Sequence, residues 1–219
     1  MKRFRQATLA VLGAAALCAV VSVPAVAEVN LPELTGETAV AATGGKAIFE
    51  ASTVEQISCK SSTGEVGASG KRVGDFKTTF KECTSVLGKC TSSGEGSGEL
   101  LVLGEYHLVR LKSGEAGVWY VLNGTPAKFE CGYDKVELKG GFLSKVTPVE
   151  TKTVKFEVEL KKKSAKSQAI TEFENNNGAK VKAEGIKSSV NGGSFSAASL
   201  ESSEDKLAVS QQDEIVKTQ

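Results

Sequence analysis

The chain has 219 residues, 40% hydrophobic and 6% aromatic, with 23 Gly, four Pro, five Cys and one His, and a formal charge of +1. That balance lacks the concentrated basic surface that phosphate binding needs, so nucleic acid is excluded as a partner class. A single imidazole leaves little for metal centres or Ser/Cys nucleophiles to work with.

The first 27 residues read as a signal peptide. Lys2, Arg3 and Arg5 form a positive start, an apolar stretch runs from Ala7 to Val23, and Ala25-Val26-Ala27 supplies small residues for cleavage after Ala27. The apolar stretch is short, contains Gly13 and Ser22 and ends in the processing site, which argues against a membrane anchor. Leu17 precedes Cys18 where a lipoprotein signal needs a small residue. Residues 28–219 then carry 24 Lys and Arg (27 less three) against 26 Asp and Glu, a formal charge of −2. No second long apolar run follows, so the expected product is secreted, extracellular and not membrane-spanning. Its length suits one domain over 28–219, with the last several residues frayed.

The body of the chain alternates apolar and polar residues with a period of two, the signature of half-buried antiparallel strands. The clearest case is 151–161, where Val154, Phe156, Val158 and Leu160 share one face. Shorter alternations occur at Ile57-Ser58-Cys59, from Phe76 to Phe80, from Phe129 to Tyr133 and at Val136-Glu137-Leu138. Leu100 to Leu111 and Val118 to Leu122 are more continuously apolar, and the second reads as a central strand ending in an Asn123-Gly124 turn. Trp119 and Tyr120 must point to opposite faces of that strand. Residues 92–98, 113–117 and 175–178 read as loops or hairpin connections. Residues 161–186 and beyond are too poor in large apolar side chains for a separate core and are expected to add strands to the same sheet system. Ser202 to Val209 is compatible with a short helix. The fold class is therefore all-β, an antiparallel β-sandwich or β-barrel of about ten short strands braced by disulfides.

Four cysteines remain after cleavage: Cys59, Cys83, Cys90 and Cys131. An even number in an exported chain reads as two structural disulfides with three possible connectivities. The short spacing favours Cys83 with Cys90, closed by a turn, and Cys59 with Cys131. There is no C-x-x-C motif, which speaks against a metal or redox site.

Catalytic constellations are wanting. His107 lies between Tyr106 and Leu108 in an expected strand and reads as a cross-strand surface residue. The Glu residues alternate with apolar neighbours as solvent-facing positions do, and Asp75, Asp134, Asp205 and Asp213 are dispersed without a calcium-loop pattern. Lys161-Lys162-Lys163 and Lys166 read as a solvated strand end or turn. No catalytic residue, cofactor or metal is expected.

Several local features occur in a recognisable order. They include Leu31-Pro32-Glu33-Leu34, Gly45-Lys46-Ala47, Cys59 before Ser-Thr-Gly-Glu-Val, Gly70-Lys71, Cys83, Cys90-Thr91-Ser92, Phe129-Glu130-Cys131, Lys145 to Pro148 and Ser189 to Gly193. In this order the mature chain resembles a group of uncharacterised secreted β-rich proteins, present in multiple copies in some soil actinobacteria, with four cysteines and no assigned activity. The resemblance implies secretion, disulfides and an all-β fold, and it carries over no catalytic residue.

The leading expectation is a non-catalytic extracellular module that binds a cell-wall glycan or another surface protein, with Trp119 and Tyr120 as ligand-binding candidates. The second is a carrier whose barrel holds a small apolar ligand, with Trp119, Tyr106, Phe129 or Phe156 pointing inward. The third is a glycan-acting hydrolase.

Overall fold

Alternating sequence becomes strand throughout. The computed structural model describes residues 31–36, 40–51, 56–68, 72–112, 114–175 and 177–217, so the signal peptide lies outside the described residues. In chain order the strands are β1 (Pro32–Leu34), β2 (Val40–Gly44), β3 (Ala47–Ala51), β4 (Ile57–Cys59), β5 (Ser61–Ala68), β6 (Val73–Lys81), β7 (Thr84–Ser85), β8 (Gly88–Ser92), β9 (Leu100–Leu111) and β10 (Ala116–Cys131). They continue as β11 (Asp134–Thr147), β12 (Thr153–Leu160), β13 (Lys162–Ser164), β14 (Ser167–Gln168), β15 (Glu172–Glu174), β16 (Lys180–Lys182), β17 (Lys187–Val190), β18 (Ser196–Asp213) and β19 (Ile215–Lys217).

The pairings settle sandwich against barrel. Following hydrogen-bonded neighbours from β18 gives β2, β5, β6, β9, β10, β11 and β12, and β12 pairs β18 again. A second ring runs β18, β3, β4, β7, β8, β10, β11 and β17 back to β18. Both use β10, β11 and β18, whose two halves serve one ring each. Registers carry straight through: Val40 lies opposite Val209 and Ala47 opposite Ser202, so β2 and β3 form one continuous run along β18. Likewise Ser61 opposes Lys81 and Ser58 opposes Thr84. The two rings are the two ends of one elongated antiparallel barrel with eight strand positions around it. Full closure removes the sheet edges that an open sheet of this size would expose.

Inward residues form one principal core that includes Phe49, Phe80, Leu100, Phe129, Phe156 and Leu200. Phe156, Leu100, Leu200, Val136 and Val146 are fully buried, each contributing about 1.5–3 kcal/mol through removal from water. One end is closed by β1 paired with β19, which brings Leu34 and Ile215 into the core. Asp213 fixes this closure, its Oδ1 accepting from Thr35 Oγ1 at 2.6 Å and from the amides of Gly36 and Glu214 at 2.9 and 2.8 Å.

The segment between β12 and β17 crosses the outside of the barrel as a strap. Phe173 of β15 lies opposite Leu111 of β9, and Phe173, Ala183, Ile170 and Val181 cover Val109, Leu111, Trp119 and Leu143 in a second, smaller apolar cluster. Lys162 ties the strap to the wall through Glu50 at 2.7 Å and Glu201 at 3.3 Å, so the basic run is in part an ion-paired fastening.

Several expectations need correction. The disulfides join Cys59 to Cys83 and Cys90 to Cys131, not Cys83 to Cys90 and Cys59 to Cys131. The four cysteines lie on adjacent strands β4, β7, β8 and β10 at one level. The amide of Cys90 donates to the carbonyl of Cys83 at 3.0 Å, which makes Cys83 and Cys90 a hydrogen-bonded pair. Hydrogen-bonded pairs stand farther apart than non-hydrogen-bonded ones, and the bridges formed at the closer positions, with Cα separations of 3.9 and 4.1 Å. Asn123-Gly124 does not turn the chain: β10 runs through it, with a register break against β11 between Leu122 and Ala127. Ser202 to Val209 is strand, part of β18. Val154, expected to share the buried face of β12, is 43% exposed, because the register of β12 against β18 breaks between Thr153 and Lys155.

Candidate functional site

The candidate site is the barrel interior. A cavity of about 80 Å³ lies at mid-length, lined on one side by Phe76, Tyr120, Phe142 and Leu200 and on the other by Ser202 and Asp205. A second void of about 30 Å³ sits toward the β1–β19 end, with Tyr120 and Leu207 shared between the two. Tyr120 stacks on Phe142 at 4.9 Å and meets Phe76 edge-on at 5.2 Å. Its hydroxyl is held well above the ordinary tyrosine pKa, first by burial and then by the nearby Asp205 charge.

Asp205 reaches the interior because β18 carries a bulge. Val158 of β12 opposes Asp205 while Leu160 opposes Ser202, so Ser203 and Glu204 stand against Glu159 alone. Glu204 takes φ of 57° to make the extra residue fit. A bulge switches the inward phase of a strand by one residue. Ala198, Leu200 and Ser202 point inward before it, and Asp205, Leu207 and Val209 after it. Two polar residues three apart thereby face the same space, and Ser202 Oγ donates to Asp205 Oδ1 at 2.6 Å.

Room for the carboxylate comes from Gly44. A β-carbon there would lie 2.2 Å from Asp205 Oδ1 and 2.4 Å from Ser62 Oγ. Ser62, Ser202 and Asp205 form a polar pole against an aromatic wall. Burial raises the Asp205 carboxyl from its ordinary 3.8 to about 6, with the Ser202 hydrogen bond acting in the opposite sense. Among the described residues no cation stands at ion-pair distance from it. The titratable group facing it from a packed strand is Tyr120 on β10. Lys46 beyond β2, Lys77 on β6, Glu157 and Glu159 on β12 and Lys206 beside it are solvent-exposed.

The two ligand-binding candidates part company. Tyr120 lines the cavity, whereas Trp119 projects outward and is covered by the strap, its ring 5.0 Å from Phe173 and 5.5 Å from His107. Trp119 is thus not one of the inward-pointing aromatic residues, while Tyr106, Phe129 and Phe156 belong to the principal core. His107 is half-buried on β9, with Nε2 3.7 Å from Glu105. The cysteines are buried and bridged. Among the described residues, no group of three or more His, Cys, Asp or Glu is arranged to hold a metal ion. No described helix is long and apolar enough to cross a membrane.

No protein-family model, curated protein or solved structure matches this chain. The interior therefore has to be read from its own residues. Asp205 escaped the sequence reading as one of four scattered aspartates, although a signal was present. Apolar residues fall on even positions at Ala198 and Leu200 and on odd positions at Leu207 and Val209, a phase slip that marks a bulge between them.

A different feature lies on the outer wall. Where β9 parts from β10, an open groove of about 740 Å³ is lined by Leu101, Leu103, Lys77, Lys128, Glu65 and Asp75. Its size reflects openness to solvent, and its walls are largely charged. The smaller interior cavity is the better-formed site, since it combines apolar walls with a few convergent polar groups.

Proposed function

We propose that this protein is a non-catalytic extracellular carrier that holds a small apolar ligand inside its β-barrel. The observation that carries the reading is the interior cavity, walled by Phe76, Tyr120, Phe142 and Leu200 in a closed barrel. Two disulfides support an oxidising compartment, in keeping with export. At about 80 Å³, the space is roughly half the ~150 Å³ of an apolar cavity that accommodates benzene, so the favoured ligand has only a few non-hydrogen atoms. Native mass spectrometry of protein recovered from culture medium without reductant tests this. A reproducible small adduct is expected. A bare protein that also takes up none of a panel of small alkanes, alcohols and amines would end the carrier reading.

A surface-binding module is the second reading, and the outer groove with its 52% exposed Leu103 favours it. It no longer draws on Trp119 or Tyr120, which are covered. Binding to cell-wall glycan that is lost in Leu103→Asp and kept when the interior cavity is filled would select this reading over the carrier.

A further inference from the structure

An aspartate aimed into an apolar barrel needs an explanation. A carboxylate can accept about four hydrogen bonds, and in this structure Asp205 receives one from a side chain, that of Ser202. Ser62 Oγ stands over the same glycine without bonding to it. Unlike Asp213, which is buried but satisfied by Thr35 and two amides, Asp205 is presented to a cavity. Three features build this presentation: the bulge at Ser203 and Glu204, the positive φ of Glu204 and the missing side chain at Gly44. Facing it are the rings of Tyr120, Phe76 and Phe142, whose electron-rich faces attract a cation.

We propose that the ligand is a small apolar amine, its ammonium group on Asp205 between Ser202 and Ser62 and its hydrocarbon part among Phe76, Tyr120 and Phe142. The inference rests on the carrier reading and narrows it to one chemical class. An ammonium supplies the donors and the positive charge that the barrel withholds from Asp205, and a buried charge pair with good hydrogen bonding outweighs its desolvation where an unpaired charge does not. The cavity volume limits the hydrocarbon part to about three or four carbons. A carboxylate ligand of the same shape would meet Asp205 with like charge, and an alcohol would leave the charge unneutralised.

The test is calorimetric titration of the disulfide-intact mature protein at pH 7.5 with n-propylamine and n-butylamine, and with n-butanol, butyrate and butane as shape controls. The expected result is amine binding at least tenfold tighter than butanol, no butyrate binding, and loss of the amine preference in Asp205→Asn. Comparison of the ligands on the unaltered protein needs no variant to fold. Equal binding of amine, alcohol and alkane, unchanged in Asp205→Asn, would overturn the amine inference and leave the carrier reading intact. Amine binding that survives both Asp205→Asn and the cavity-filling Ala42→Leu would place it elsewhere and also overturn the inference. No binding of any probe would sink both, leaving the cavity to water.

Discussion

Replacing Asp205 by Asn should make the protein more stable at neutral pH, the reverse of the usual outcome for a buried polar residue. In the folded protein the carboxyl sits at about 6 against an ordinary 3.8, so over that interval the folded state holds a proton that the unfolded chain releases. Stability from this group is fully present below about 3.8, declines as the pH rises through about 6, and stays low above it. At about 1.4 kcal/mol per pH unit, the gap amounts to about 3 kcal/mol at pH 7.5. Asn keeps an oxygen to accept from Ser202 and carries no charge, so Asp205→Asn should gain about 2–3 kcal/mol at pH 7.5 and close to nothing at pH 3.5. Guanidinium unfolding with disulfides intact, on both proteins at both pH values, measures the difference and cancels every other titrating group. A variant equally or less stable at pH 7.5, or a difference that does not change with pH, would refute the reasoning.

Other expectations follow from the same geometry. Non-reducing peptide mapping should link the Cys59 peptide to Cys83 and the Cys90 peptide to Cys131; loss of the first pair should cost about 3.5 kcal/mol and of the second about 4, from loops of 24 and 41 residues. Because the sole tryptophan lies outside the barrel, saturation with an interior ligand should leave Trp119 emission unchanged while perturbing tyrosine absorbance through Tyr120; a large shift in tryptophan emission would contradict an interior site. Trp119→Ala should cost about 2–3 kcal/mol by unseating the strap from the half-buried ring, read as a lowered denaturation midpoint and easier proteolysis of 161–186. Gly44→Ala should abolish interior binding, since the added carbon would displace Asp205 and Ser62; undiminished affinity would remove the polar pole from the site.

Much of this architecture was legible because a half-buried strand writes its burial into alternate residues. Phe156, Val158 and Leu160 are buried as their spacing requires, and Leu100 to Leu111 became β9 in full. Closure was not legible, for it depends on registers between strands far apart in sequence, such as Val40 with Val209. Nor was the disulfide pairing, since the alternation of near and far pairs across a ladder depends on which amides bond to which carbonyls, and only the assembled sheet fixes that. Trp119 misled as an isolated aromatic because its cover, Phe173 and Ala183, comes from a segment more than fifty residues later. Asp205 was hidden by counting aspartates one at a time when the phase of the neighbouring apolar residues held the information.

The sharing of β18 between both rings bears on how the chain reaches its native state. This strand pairs with β2 and β3 from the beginning of the described chain and with β12 and β17 near its end. Until it is made, the preceding strands form a curved ribbon with two open flanks and no seam to join them. Contacts of such long sequence separation are slow to find, and an open flank invites pairing with a neighbouring molecule. The order of synthesis thus puts the closing strand last, and the interval before it emerges is when the nascent ribbon is most exposed to aggregation.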